Sequence, residues 1–152
     1  MFVHSLQLGD LEVDDKVIYH MPHGMPGFPE EEKFILLPHG ADSPFWFWQS
    51  ATTAALTFVL LDTFQLFHDY EFELSTEHAE ELKMGEAVRP RVFSVVTLPR
   101  KIEAMTANLA APVVLNDRDH LAMQVILEKT KYAVKQVLIP PQADKTSSEG
   151  GR

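Results

Sequence analysis

The most constraining feature of this sequence is its division into short runs that are wholly apolar or alternate between apolar and polar residues. Proline, glycine, asparagine and aspartate separate the runs, a pattern typical of β-strands joined by turns. The predicted strands are 2–8, 17–20, 34–37, 45–49, 57–62, 70–74, 91–98, 104–109, 113–116, 122–127 and 132–138. Their spacing of about 8 to 12 residues favours antiparallel strands closed into a barrel or folded as a sandwich. The sequence therefore predicts an all-β fold, a small antiparallel β-barrel in preference to a barrel-like sandwich.

One segment, residues 75–85, follows a helical pattern instead. Ser75 can cap the first free amides, Glu77 and Glu80 fall in the first turns, and Gly85 stands where a helix commonly ends in left-handed backbone. We expect one short helix here, docked over an open end of the barrel.

The length of 152 residues suits a single domain, which we place at residues 1–139. Residues 21–29 contain three prolines and two glycines and are predicted to form a loop with a fixed path. The polar residues 140–152 are predicted to be a disordered tail. No signal peptide or membrane span is expected, since the longest apolar stretch, 54–61, is far shorter than the roughly 20 residues that a bilayer requires. The protein is expected to be soluble and intracellular.

Charge is unevenly distributed along the chain. Residues 1–86 contain 16 acidic and three basic residues, whereas residues 87–139 contain four acidic and eight basic ones. Such an acidic portion repels nucleic acids and anionic membranes and attracts basic proteins. The pattern fits either an acidic binding face or a solvated surface that only aids solubility.

Sequence motifs of catalysis are missing. The chain has no cysteine, which excludes disulfides and thiolate metal sites. It also has no phosphate loop, nucleophile elbow or dinucleotide fingerprint, so we expect no enzyme activity and no cofactor. His20 and His23 are the closest histidine pair, but Pro22 between them opposes a shared metal site, and we expect no bound metal. A metal-assisted hydrolase using these two histidines remains an alternative.

The aromatic run FWFW at 45–48 has two interpretations. It could stack the bases of a single-stranded nucleic acid, but no lysine or arginine lies between Lys33 and Lys83 to supply the basic groove that such sites use. A strand buried on both faces explains the run better. We therefore expect no direct contact with nucleic acid.

Several strings taken together resemble one family, the FliW flagellar assembly factors. The strings occur in the expected order over roughly residues 13–139. They are MPGF at 25–28, KFILL at 33–37, PFWFWQS at 44–50, DYEFEL at 69–74, MTANLAAPVVLN at 105–116 and QVIL at 124–127.

The resemblance implies a cytoplasmic binding protein built on a small barrel. FliW proteins bind newly made flagellin and, when free of it, bind and antagonise the translational regulator CsrA, which relieves repression of flagellin mRNA translation. The resemblance thus implies two protein partners. The acidic charge argues against a membrane partner, and because nothing in the strand pattern forces an oligomer, we expect the free protein to be a monomer. A general chaperone for secreted helical proteins is a second alternative.

Two sets of residues are candidates for these partners. Because an RNA-binding repressor presents a basic surface, the candidate CsrA face is acidic: Asp69, Glu71, Glu73, Glu77, Glu80 and Glu81. Flagellin offers amphipathic helices, which suit an apolar surface. The candidate flagellin face is Met25, Pro26, Phe28, Met105, Asn108 and Leu109, and four of these, Met25, Phe28, Met105 and Leu109, are expected to be exposed. The alternative is that these residues plug the barrel end while Asn108 hydrogen-bonds the loop backbone, and for Phe28 this alternative is favoured.

Overall fold

The computed structural model describes residues 1–85 and 87–138. The strands in this part of the chain are β1 (Phe2–Ser5), β2 (Gly9–Glu12), β3 (Ile18–His20), β4 (Lys33–Pro38), β5 (Phe45–Ser50), β6 (Thr57–Asp62), β7 (Arg91–Thr97), β8 (Thr106–Ala107), β9 (Val113–Asn116), β10 (Leu121–Gln124) and β11 (Gln136–Val137). The α-helices are α1 (Thr63–Leu66) and α2 (Thr76–Glu81), and short 3-10 turns span Asp15–Val17 and Ile102–Ala104.

A closed barrel forms the centre of the molecule. Its strands follow one another in the order β3, β4, β5, β6, β7, β9 and β10, and β10 returns to β3. The pairs are antiparallel except β10 with β3, which is parallel through the single register pair Leu121 and His20. The predicted all-β barrel is confirmed, with this parallel contact as its departure from a purely antiparallel order.

Large side chains fill the barrel interior. The Phe34 and Trp48 rings stack with their centroids 5.2 Å apart and their planes 2° apart. Both residues are fully buried, as are Leu60 and Leu115 in the same cluster. The expectation that the aromatic run belongs to the core holds fully for Trp48, whereas the three preceding aromatic residues are partly buried.

A second apolar layer covers part of the outer wall of the barrel. In β9, Val113 and Leu115 belong to the interior cluster, whereas Val114 packs outside with Leu82 and Met123. Strand β9 is therefore buried on both faces, which explains its wholly apolar sequence. Because Leu82 follows α2 directly, the end of the helix is anchored on the outer wall. The expectation that it covers an open end of the barrel is wrong.

The termini of α2 follow capping rules with one change from the prediction. The Ser75 hydroxyl accepts the His78 N–H at 3.1 Å, as expected of a cap. At the other end Lys83, with φ of 56°, takes the left-handed position predicted for Gly85. The bond from the Met84 N–H to the Ala79 carbonyl, 2.8 Å, completes this helix ending. Helix α1, a single turn, was not predicted, so residues 1–85 and 87–138 contain two short α-helices where one was expected.

The predicted strand at 70–74 is wrong. This segment is extended and its side chains alternate, with Tyr70 buried and Phe72 and Leu74 half-buried against the outer wall, but it belongs to no sheet. It crosses over the wall instead of lying beside a strand edge, so its amides lack a neighbouring strand. The Glu71 N–H instead donates to the Tyr132 hydroxyl at 2.9 Å.

Other boundaries differ as well. The predicted strands at 2–8, 104–109, 122–127 and 132–138 are shorter in the structure, and β2 was not predicted. The single domain at 1–139 stays a prediction, and the predicted tail at 140–152 lies outside the described residues.

Candidate protein-binding groove

A groove runs along the outer wall between segment 71–78 and segment 123–132. It encloses about 1010 Å³, and its apolar lining includes Phe72, Met123 and Val125. These three side chains also belong to, or pack against, the outer apolar layer. The groove therefore has an apolar floor that is part of the folded framework.

Acidic side chains line one side of this groove. Four of the six residues predicted as an acidic face are among them: Glu71, Glu73, Glu77 and Glu81. The alternation of segment 70–74 turns its apolar side chains toward the wall and its glutamates outward. In α2, positions four residues apart share a helix face. Asp69 and Glu80 are exposed but do not line the groove.

The opposite side carries the basic residues of the groove. Its lining holds Glu128, Lys129 and Lys131, so the whole groove lining contains five glutamates and two lysines. Both lysines lie in the turn that follows β10, while the remaining glutamates lie along segment 71–81. The field in the groove is therefore negative, with its excess on the helix side.

Several contacts fix α2 and the groove. Asn116, fully buried in β9, donates from Nδ2 to the Leu82 carbonyl at 2.7 Å and so ties the end of α2 to the barrel. The Tyr70 hydroxyl donates to the Leu109 carbonyl at 2.8 Å. Burial raises the pKa of the Tyr70 phenol, which therefore stays protonated as a donor. These bonds make the acidic side a fixed surface.

The two histidines considered for a metal contact different carboxylates. His20 Nε2 lies 3.3 Å from a Glu32 oxygen, and His23 Nε2 contacts the Glu81 carboxylate. The His23 contact joins the 21–29 loop to α2 at one end of the groove. Within residues 1–85 and 87–138, no three histidines, aspartates or glutamates lie close enough together to hold a metal ion.

The candidate apolar face is not a single surface. Met25 is 2% exposed in the interior cluster and Leu109 is 3% exposed in an outer one, so the expectation that they are exposed is wrong. Met105 packs partly buried near Leu109, and the partly buried Asn108 accepts the Ala110 N–H with its side chain, which binds its own loop.

Only the turn at 25–28 presents accessible members of that set. Pro26 is exposed, and Phe28 is 42% exposed with its ring edge-on to Phe58, centroids 5.9 Å apart. Met25 is drawn inward because the turn closes on itself. The Phe28 N–H donates to the Met25 carbonyl at 2.7 Å.

Sequence reasoning missed the second side of the groove, which extends from Met123 to Tyr132. One signal was available. Ile126 follows buried residues in an apolar run, and by alternation it faces away from them; its side chain is 66% exposed.

Neither α1 nor α2 approaches the length of a membrane-spanning helix, and the described residues contain no other α-helix.

Comparison with known proteins identifies the family. Residues 3–138 match the family model described as FliW protein. The flagellar assembly factor FliW of Desulfitobacterium hafniense (strain Y51) is 42% identical over 152 residues, covering 100% of both chains. That of Bacillus subtilis (strain 168) is 35% identical over 135 residues, covering 89% of this chain and 94% of its own. A structure described as the crystal structure of the flagellar assembly factor FliW has a TM-score of 0.84 at 36% identity, covering 92% of this chain and 98% of that chain.

The fold thus defines a class of small closed barrels with a helix packed on the outer wall. Within that class, the sequence matches and the solved structure agree on one family. The chain belongs to the FliW family of flagellar assembly factors. The resemblance seen in the sequence motifs is confirmed.

Proposed function

We propose that this protein acts in the cytoplasm as a binding protein without catalysis. It binds flagellin, and when free of flagellin it binds CsrA and relieves the repression of flagellin mRNA translation. The observation that supports the CsrA part is the groove itself, where glutamates outnumber lysines five to two around an apolar floor. Family membership supports the role in flagellar assembly.

Electrostatics connects the groove to a regulator that binds RNA. Such a regulator carries a basic surface, and a negative groove speeds encounter with it. Once docked, the acidic body repels incoming phosphates over about one Debye length, roughly 8 Å at physiological salt. Antagonism then needs no overlap with the RNA site, because the field and the blocked approach both act beside it.

The test reverses charge at two positions on the acidic side of the groove. The double variant Glu71→Lys and Glu73→Lys is expected to slow association with CsrA about tenfold at low salt and to flatten its salt dependence, because steering by opposite charge is lost. Both side chains are exposed, so folding should be unaffected. Stopped-flow association at two salt concentrations measures the effect.

A matched control uses acidic residues outside the groove lining. Asp69→Lys with Glu80→Lys changes the net charge equally, and both positions are exposed. This control should slow association much less. Equal slowing by both double variants would assign the effect to net charge, and unchanged rates in both would remove the acidic groove from the CsrA interface.

Flagellin recognition is assigned to the accessible part of the 25–28 turn. Exposed Pro26 and Phe28 form an apolar projection suited to the face of an amphipathic helix. Phe28→Ser should weaken flagellin binding about tenfold, since aromatic anchors dominate such interfaces, with little change in melting temperature. Met25→Ser is the contrasting variant and should cost about 3 kcal/mol of stability, because Met25 is core. Unchanged flagellin affinity in calorimetry of Phe28→Ser would exclude this turn.

A further inference from the structure

The strand that forms one side of the groove continues beyond its regular pairing. After β10 ends at Gln124, the Val125 N–H donates to the Pro112 carbonyl at 2.8 Å and the Leu127 N–H donates to the Ala110 carbonyl at 2.9 Å. These bonds extend the antiparallel ladder with β9 by three residues. They also show that the odd-numbered residues of this strand direct their amides toward β9.

The even-numbered residues therefore direct their backbone groups away from β9, and two of them, Gln124 and Ile126, line the groove. Gln124 stands opposite Val113 in the register of β9 and β10, at a position between the hydrogen-bonded pairs. Among residues 1–85 and 87–138, no hydrogen bond reaches the N–H groups of Gln124 and Ile126. Segment 124–127 is an open strand edge along the groove.

The early end of β3 explains why this edge is open. Strand β3 pairs with β10 only near its end, where the His20 N–H donates to the His120 carbonyl at 2.8 Å. In a parallel ladder the next donor on β3 is two residues further, at position 22. Pro22 has no N–H to donate to the Ala122 carbonyl, and β3 ends at His20, so β3 supplies no acceptor for the Gln124 N–H. The neighbouring strand ends where the groove begins.

We propose that this edge accepts an extended basic segment of a protein partner as an additional β-strand. The inference rests on the proposed function in one respect, that the groove is a protein-binding surface. Strand addition takes its affinity from main-chain hydrogen bonds to an open edge and its specificity from side-chain contacts. The volume of about 1010 Å³ is sufficient for a segment of several residues.

The charge of the groove defines the occupant. Residues of an added strand alternate between two faces. One face of the added strand lies on the side of Met123 and Val125. The glutamates of segment 71–81 flank this side, so it suits lysine or arginine. The other face lies on the side of exposed Ile126 and suits an apolar residue. The partner segment is therefore unpaired, extended, and alternates basic with apolar side chains.

The experiment measures amide hydrogen exchange by NMR with a short synthetic peptide that alternates lysine and valine. In the free protein, the amides of Gln124 and Ile126 should exchange fast, and those of Val125 and Leu127 slowly. Adding the peptide should slow exchange at Gln124 and Ile126 about tenfold or more, because each amide gains a partner. Slower exchange at every second amide is specific to strand addition, since charge attraction alone protects no amide from exchange.

Two comparisons separate backbone pairing from charge. The same peptide with alternate backbone nitrogens methylated keeps its charge but loses one row of donors, and it should bind about tenfold more weakly. In the protein, Ile126→Pro removes an edge donor, whereas Ile126→Thr keeps the N–H and changes only the side chain. Ile126→Pro should weaken peptide binding more than Ile126→Thr. If Ile126→Pro fails to fold, the methylated peptide provides the test.

The outcomes distinguish this inference from the proposed function. Protection at Gln124 and Ile126, with weaker binding of the methylated peptide, supports strand addition even if the groove charges have no effect on CsrA. Equal binding of both peptides without protection overturns it, and so does a peptide that does not bind at all. In those two cases the stopped-flow test with Glu71 and Glu73 still decides whether the groove receives CsrA.

Discussion

Gly24 occupies a backbone position that no other residue fits. Its φ is +62°, and a Cβ placed there would lie 2.3 Å from the Phe28 carbonyl oxygen. Gly27 also has positive φ, +87°, but open space surrounds its missing Cβ. At Gly24 strain and a backbone clash therefore combine, whereas at Gly27 only the backbone strain acts.

Alanine substitutions at the two glycines are expected to lower stability by different amounts. Gly24→Ala should lower the free energy of unfolding by about 3 kcal/mol, because the loop backbone must move to admit the methyl group. Gly27→Ala should cost about 1 kcal/mol, the usual penalty of left-handed backbone in a residue with a side chain. Urea unfolding of both variants measures the difference. Equal losses would show that the loop adjusts freely around position 24.

At the residue scale, the exposure of a side chain in a loop was harder to predict than that of a side chain in an alternating segment. The alternating glutamates of segment 70–74 are exposed as their pattern predicts, because alternation needs only an extended backbone over an apolar layer. Met25 lies in a loop whose prolines and glycines are typical of a surface segment, yet the Met25 side chain is buried. Its burial depends on the turn through Phe28 and on the barrel interior, which contains residues distant in sequence.

At the scale of elements, α2 shows how a helix end is chosen. Gly85 is the residue that the sequence favours for the left-handed position, but Lys83 takes it, with bonds to the Glu80 and Ala79 carbonyls formed by Lys83 and Met84. Asn116 on β9 donates to the Leu82 carbonyl and holds the chain there. The tertiary contact ends the helix two residues early, at the expense of strain in Lys83.

This ending predicts that Lys83→Gly stabilises the protein. Relief of left-handed strain should raise the free energy of unfolding by about 0.5 to 1 kcal/mol, offset in part by the flexibility of glycine in the unfolded chain. Lys83→Ala is the control for loss of the side chain and should bring no gain. Gly85→Ala should cause no loss, since a Cβ placed at Gly85 would meet no atom within 4 Å. Thermal unfolding of the three variants measures these changes in stability. A loss at Gly85 with no gain at Lys83 would place the helix end where the sequence predicts it.

The strand elements were predicted best where they belong to the barrel. Strands β6 and β9 have the predicted boundaries, because their apolar residues are required on both sides of the wall. Segment 70–74 has the composition of a strand but crosses over the wall, so no neighbour completes its ladder. The alternation of apolar and polar residues indicates which side chains are buried. Whether the segment forms a strand depends on a neighbouring strand that hydrogen-bonds with it.

At the scale of the whole molecule, closure of the barrel creates the groove. The pairing of β7 with β9 and of β10 with β3 closes the ring. It also brings segment 123–132, near the end of the described chain, alongside the glutamates of segment 71–81. The acidic part of the sequence thereby faces a wall from the other, more basic part. The charge counted along the chain predicts that the field in the groove is negative. It does not predict which segment lies opposite the glutamates.

The sequence by itself determined the barrel class, the family and the acidic character of one side of the groove, because each depends on periodicity, ordered motifs or composition that can be read locally. The tertiary structure alone decided that α2 covers the outer wall, that Met25 and Leu109 are buried, and that the edge at Gln124 and Ile126 is open. These features depend on contacts between residues far apart in the chain, and local patterns carry no information about which distant segments meet.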